Sequence, residues 1–200
     1  QRYPYKFDSS INSWVSFVRY NDTPSEIFCA TNMNRIKGRQ QYLFLGTNCV
    51  ARYDDPKKPF LLANTILHEM AHKMGLEHEH QRPDRDCYIY VAPSLIALTD
   101  LLNPFGKKPG YRYPSGFPYD YDSIMHYDID DYTKYHAHGN VTRPLGNLDP
   151  TFTALDVHKL NNYCGRKSYC AEQNNCASFY DFAKTNQRCW RRGPDYTSDP

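Results

Sequence analysis

The chain has 200 residues, 40% of them apolar and 23% charged, which is the composition of an ordinary globular protein and excludes global disorder. Lys and Arg number 24 against 22 Asp and Glu, and a net charge of +2 provides no field suited to gripping nucleic acid. No apolar run approaches the roughly 20 residues that span a bilayer, so a soluble, already processed chain without a membrane span is expected.

Ile11, Trp14, Val15 and Val18 follow Ser9 and Ser10 at helical spacing, but Trp14, Ser16, Val18 and Tyr20 also alternate, so a strand over Trp14 to Tyr20 competes with a helix. Gln41 to Leu45, closed by Gly46, is predicted as a strand, and Asp54 to Pro59 as a proline-bounded loop. Residues 60–75 carry the strongest helical pattern, with Leu62, Ile66, Met70 and Met74 expected to form its buried face. Pro83 to Tyr121 is rich in Pro, Gly and Tyr, with a short helix expected over Leu95 to Leu102. Thr153 and Asp156 form a capping box, after which Ala154, Val157, Leu160 and Cys164 fall on one helical face. Residues 165–200 are polar and carry three of the seven Cys.

Seven scattered Cys (29, 49, 87, 164, 170, 176, 189) without a C-x-x-C pair suggest disulfides in an oxidising compartment, hence a secreted, extracellular protein. An odd count leaves at least one thiol unpaired within the chain, and N-x-S/T sequons at Asn21 and Asn140 agree with secretion.

The chemistry sits in His68-Glu69-Met70-Ala71-His72-Lys73-Met74-Gly75-Leu76-Glu77-His78. At 100° per residue His68 and His72 lie about 40° apart, one turn offset, so both imidazoles reach one ion. Gly75 can adopt the left-handed conformation that ends a helix and lets His78 return as a third ligand. Three histidines leave an open coordination position, the mark of a catalytic rather than a structural zinc site. Glu69, between the two helical histidines, can accept a proton from water without being a ligand. The predicted cofactor is one catalytic Zn2+ and the predicted general base is Glu69.

These residues resemble the astacin family of zinc endopeptidases, within the metzincins. His78-Glu79-His80-Gln81-Arg82-Pro83-Asp84-Arg85-Asp86 reproduces the extended H-E-x-x-R-x-D-R-D signature, and Ser123-Ile124-Met125-His126-Tyr127 is similar to the Met-turn. The resemblance implies an α+β, two-lobed catalytic domain over residues 1–164. Its upper lobe, about 1–77, would hold a twisted, mostly parallel sheet and the zinc helix. Its lower lobe, about 78–164, would be largely irregular with a C-terminal helix. Residues 165–200 would be a Cys-containing extension packed on that domain.

The resemblance further implies Met125 as a hydrophobic floor beneath the metal and Tyr127 as an additional zinc ligand that later stabilises the oxyanion. Glu79 would contact the mature N-terminus, Tyr3-Pro4-Tyr5 would match an early strand, and the strand Gln41 to Leu45 would border the cleft and pair with an extended peptide. For Arg82, Asp84 and Arg85, fastening of the chain beyond the zinc helix and plain surface ion pairing remain alternatives. Asp156, Leu160, Asn161, Tyr163 and Cys164 resemble the family's closing segment, which implies Cys29–Cys164, with Cys49–Cys87 as a second bridge. Cys170, Cys176 and Cys189 would fasten the tail, one of them as the odd thiol.

Lys107, Lys108 and Arg112 suggest either a preference for acidic substrates or a solvated basic loop. The expected partner is an extended protein or peptide substrate, bound by a monomer. A different class remains open: a secreted binding module or toxin with a non-catalytic zinc.

Overall fold

A computed structural model describes residues 14–20, 29–31, 40–47, 49–50, 60–96, 104–108, 110–112 and 116–163. The N-terminal segment with Tyr3-Pro4-Tyr5, the Asn21 sequon, the 54–59 loop, residues 97–102 of the second predicted helix, Cys164 and the 165–200 tail lie outside them. The chain divides into two compact units, Gln1–Gly75 and Leu76–Pro200.

In the first unit the alternation at Trp14 to Tyr20 wins over the helical spacing, and strand β1 spans Trp14–Tyr20. Strand β2 is Ala30–Thr31 and β3 is Gln40–Gly46. The sheet order is β1-β3-β2, with β1 parallel and β2 antiparallel to β3. Among the described residues β3 lies between β1 and β2, with β2 paired to it at Leu43 and Phe44, which departs from the bordering position expected for Gln41 to Leu45. Gln41 and Leu43 are buried and Tyr42 is exposed, the period-two pattern of a strand with one face covered.

Helix α1 spans Phe60–Met74. The expected apolar face is corrected in its second half. Met70 and Met74 are 38% and 37% exposed, and the residues buried in α1 are Glu69, Ala71, His72 and Lys73. The helix turns its polar, chemically competent side inward because the site, rather than an oily seam, occupies its covered face.

A disulfide joins Cys29 to Cys49. It overturns both expected bridges, Cys29–Cys164 and Cys49–Cys87, because a sulfur forms only one such bond. The reason is the antiparallel register. Ala30 faces Phe44 on β3, so Cys29 arrives beside the end of that strand, where Cys49 follows, and their Cα atoms lie 5.5 Å apart. Cys87 is also disulfide-bonded, to a partner outside the described residues.

Among the described residues of the second unit regular structure is sparse. Two 3-10 turns, Glu79–Gln81 and Arg85–Cys87, lead into β4 (Ile89–Val91) and a short helix α2 (Pro93–Ile96). Strand β5 (Tyr135–Ala137) pairs antiparallel with β4, and helix α3 spans Ala154–Tyr163. Ile89, Val91, Tyr119, Tyr135, Ala137 and Leu145 form an apolar core, with Tyr88, Phe105 and Tyr127 packed against it.

The capping box of α3 forms as predicted: the Asp156 N–H donates to Thr153 Oγ1 at 3.0 Å and the Thr153 N–H to Asp156 Oδ2 at 3.3 Å. Its buried face differs from the expected one. Val157 is 43% exposed, whereas Asp156 and Lys159, one turn apart, are buried. Asp156 bonds to Ser123 and Ile124 and Lys159 pairs with Glu79, so this helix acts as a polar clamp.

Candidate active site and metal centre

Gly75 ends α1 with φ of 104°, a conformation that strains any residue with a Cβ, and its N–H donates to the His72 carbonyl at 3.0 Å. The tight turn brings His78 back. The ligand atoms of His68, His72 and His78 lie within 4.8 Å of one another, and the rings of His68 and His72 stand edge to face, 4.8 Å between centroids. Among the described residues no fourth His, Cys, Asp or Glu joins the group. Three imidazoles with no closing protein ligand of those types suit zinc in an open site.

Glu69 is buried on the same helix, and the Thr31 N–H of β2 donates to its carboxylate. Burial pushes the Glu69 carboxyl up to about 8, opposed by that hydrogen bond and by the Lys73 ammonium one turn on. Burial in turn pulls the Lys73 ammonium below its ordinary value, and among the described residues its Nζ has no hydrogen-bond partner. A carboxyl whose proton affinity is raised towards neutral pH, on the helix that carries two of the imidazoles, can both take up and release a proton.

In the second unit, Met125 is buried and its carbonyl accepts the Glu79 N–H at 3.0 Å, tying the Met-turn to the residue after the third histidine. The Tyr127 ring lies 4.7 Å from His78 and 4.1 Å from His80. His80 and His126 are two residues whose roles were not read from the sequence. The Tyr127 N–H donates to His80 Nδ1 at 3.4 Å, and His126 Nδ1–H donates to the Tyr127 carbonyl at 2.7 Å. With Nδ1 protonated, His126 Nε2 accepts from the Tyr119 hydroxyl at 2.8 Å. Burial pulls the His126 imidazole down to about 4, so it is neutral at pH 7.

Arg82, Asp84 and Arg85 are all buried, which resolves their two alternatives in favour of fastening. Arg82 Nη1 donates to Glu79 Oε1, and its Nε and Nη2 form a two-point pair with Asp84, each contact 2.9 Å. It also donates to the Phe117 and Pro118 carbonyls, both at 2.9 Å. Arg85 donates to the carbonyls of His80 and Phe105. Asp156 accepts from Ser123 Oγ at 2.7 Å and from the Ile124 N–H at 3.3 Å, holding the Met-turn from α3.

Glu79 is fully buried and takes its cations from within the chain, Arg82 at 2.9 Å and Lys159 at 2.5 Å. The chain N-terminus, its expected contact, lies outside the described residues. Burial alone would raise the Glu79 carboxyl, but Lys159, Arg82 and the Asp120 N–H outweigh it and hold it at about 2. The folded value is below the ordinary 4.5, so this group stabilises the fold above that pH, and the contribution is lost as pH falls from 4.5 towards 2. Lys159→Met removes one counter-ion. The gap in unfolding free energy between wild type and Lys159→Met is therefore expected to be widest above pH 4.5 and to shrink towards pH 2, as read by urea unfolding. A gap independent of pH would contradict the pairing.

Lys107, Lys108 and Arg112 are partly exposed and ion-paired, Lys107 with Asp86 and both Lys108 and Arg112 with the buried Glu77, at 3.1 and 3.6 Å. Two cations share the single Glu77 carboxylate, so positive charge is left over at this surface, as in a solvated basic loop.

Two imidazoles on α1, a third just past its end and a buried carboxylate on α1 make a site suited to zinc of the hydrolytic class. The family model for astacin, a peptidase family, matches residues 5–164. The chain belongs to the astacin family. It is 34% identical over 151 residues to zinc metalloproteinase nas-12 of Caenorhabditis elegans, covering 70% of this chain and 36% of that protein. It is 42% identical over 130 residues to astacin-like metalloprotease toxin 2 of Loxosceles intermedia, covering 61% and 46%. Thus the chain spans less than half the length of these curated relatives. The fold matches that of high choriolytic enzyme 1, a hatching enzyme zinc-protease from Oryzias latipes, with TM-score 0.53 and 24% identity over 78% of this chain and 70% of that one.

Proposed function

We propose that this chain is a secreted endopeptidase that hydrolyses peptide bonds within proteins, with His68, His72 and His78 holding zinc and Glu69 as general base. The observation that carries the reading is the convergence of three imidazoles with no fourth His, Cys, Asp or Glu among the described residues, beside a buried carboxylate on the same helix. When bound, zinc supplies Lewis acidity that polarises a peptide carbonyl and acidifies water. Glu69 takes the proton of the attacking water and passes it to the departing amine nitrogen, so one carboxylate serves both halves of the reaction. Tyr127, held at both of its peptide groups by His80 and His126, would serve as a further zinc ligand and would donate its phenolic O–H to the developing oxyanion. Met125 serves as the hydrophobic floor. An extended peptide adds to the sheet at the edge strand β2, whose Thr31 already contacts Glu69.

Among the described residues no helix is long and apolar enough to cross a membrane. The Cys29–Cys49 bridge supports an oxidising, extracellular setting. A binding module with a purely structural zinc gives Glu69 no task. Residues 1–164 are read as the catalytic domain and 165–200 as an extension, acting as a monomer.

The test is casein digestion with and without a zinc chelator. Activity is expected to vanish on chelation and return with Zn2+, and Tyr127→Phe is expected to lower kcat more than it raises KM. Digestion that survives complete zinc removal refutes the proposed function, and unchanged kcat in Tyr127→Phe returns that ring to a packing role.

A further inference from the structure

His78 is followed directly by the 3-10 turn Glu79–Gln81, in which the Gln81 N–H donates to the His78 carbonyl at 3.1 Å and folds the Gln81 side chain back towards the imidazole. Gln81 Nε2 donates to the Pro104 carbonyl at 3.2 Å. A carbonyl only accepts, so the amide must direct its other end, Oε1, at His78 Nδ1, 2.9 Å away. An amide oxygen cannot donate, so Nδ1 carries the proton and the imidazole lone pair lies on Nε2. The same Pro104 carbonyl accepts His80 Nε2–H at 2.8 Å, which leaves His80 Nδ1 as the acceptor for the Tyr127 N–H. One loop carbonyl with two lone pairs thereby sets the direction of both hydrogen-bond chains.

We propose that Gln81 is a positioning residue for the third zinc ligand, fixing the tautomer and ring orientation of His78 so that Nε2 faces the ion. This rests on His78 being a ligand. Outer partners of this kind turn the ring before the metal arrives and raise its basicity, and their loss typically weakens metal binding by about 10–100-fold.

The experiment measures zinc affinity by competition with a chromogenic chelator for wild type, Gln81→Ala, Gln81→Glu and His78→Ala. Gln81→Ala is expected to weaken zinc binding by about 10–100-fold. Gln81→Glu keeps an acceptor for Nδ1–H and is expected to recover most of that affinity. Wild-type affinity in Gln81→Ala, or equal weakening in both Gln81 variants, overturns the proposal. His78→Ala separates the two assignments, since unchanged affinity there removes His78 from the ligand set itself. Long-range 1H–15N spectra of the zinc-loaded wild type give a readout independent of any variant. A protonated Nδ1 on His78 is expected, and coordination through Nδ1 overturns the proposal.

Discussion

Glu69→Gln is expected to fold, to bind zinc as the wild type does and to lose peptide hydrolysis by a factor of about 10²–10⁴, the usual contribution of a positioned general base. The amide has nearly the shape of the carboxylate, and its oxygen still accepts the Thr31 N–H, so the packing of α1 against β2 is preserved. The three imidazoles are untouched. What disappears is a group able to hold a proton between water and the amine. The assignment is checked by kcat/KM on an internally quenched peptide alongside a zinc titration of the same sample. Turnover within about tenfold of wild type in the metal-replete variant would show that Glu69 is not the base.

Arg82→Ala is expected to give the largest loss of stability of any single change beyond the zinc ligands, about 3–5 kcal/mol, because it leaves buried charges without their partner. Arg82 is 1% exposed and joins Glu79, Asp84 and the carbonyls of Phe117 and Pro118. Its removal orphans acceptors on three stretches of chain at once, including the residue that follows His78. Arg82→Lys should recover little, since a point charge cannot reproduce a planar fork that bonds two carboxylates together. Urea unfolding measures the effect. A loss below about 1 kcal/mol would place Arg82 with surface ion pairs.

The local parts of the site are legible in the sequence. The separation of His68, His72 and Gly75 is a property of helical pitch and of one turn, and the structure places them as that geometry demands. The Thr153–Asp156 capping box is legible for the same reason, being closed within four residues. Hydrophobic spacing is a poorer guide wherever the covered face is polar. It points Met70, Met74 and Val157 inward, but the inward positions belong to Glu69, His72, Lys73, Asp156 and Lys159, among which Glu69 takes a hydrogen bond from Thr31, Asp156 one from Ser123, and Lys159 pairs with Glu79.

The spacing of His68, His72 and His78, the helix that carries two of them, Gly75 at its end and the family resemblance can all be read along the chain. Folding was needed to show that Cys29 meets Cys49, that Lys159 answers Glu79 across 80 positions, that Lys108 and Arg112 share Glu77 and that Gln81 and His80 share the Pro104 carbonyl. What separates the two sets is the range of the constraint. Helical periodicity and glycine's freedom act within a turn or two, where spacing along the chain is spacing in space. Strand register and loop closure bring together residues whose separation in sequence carries no record of which atoms meet.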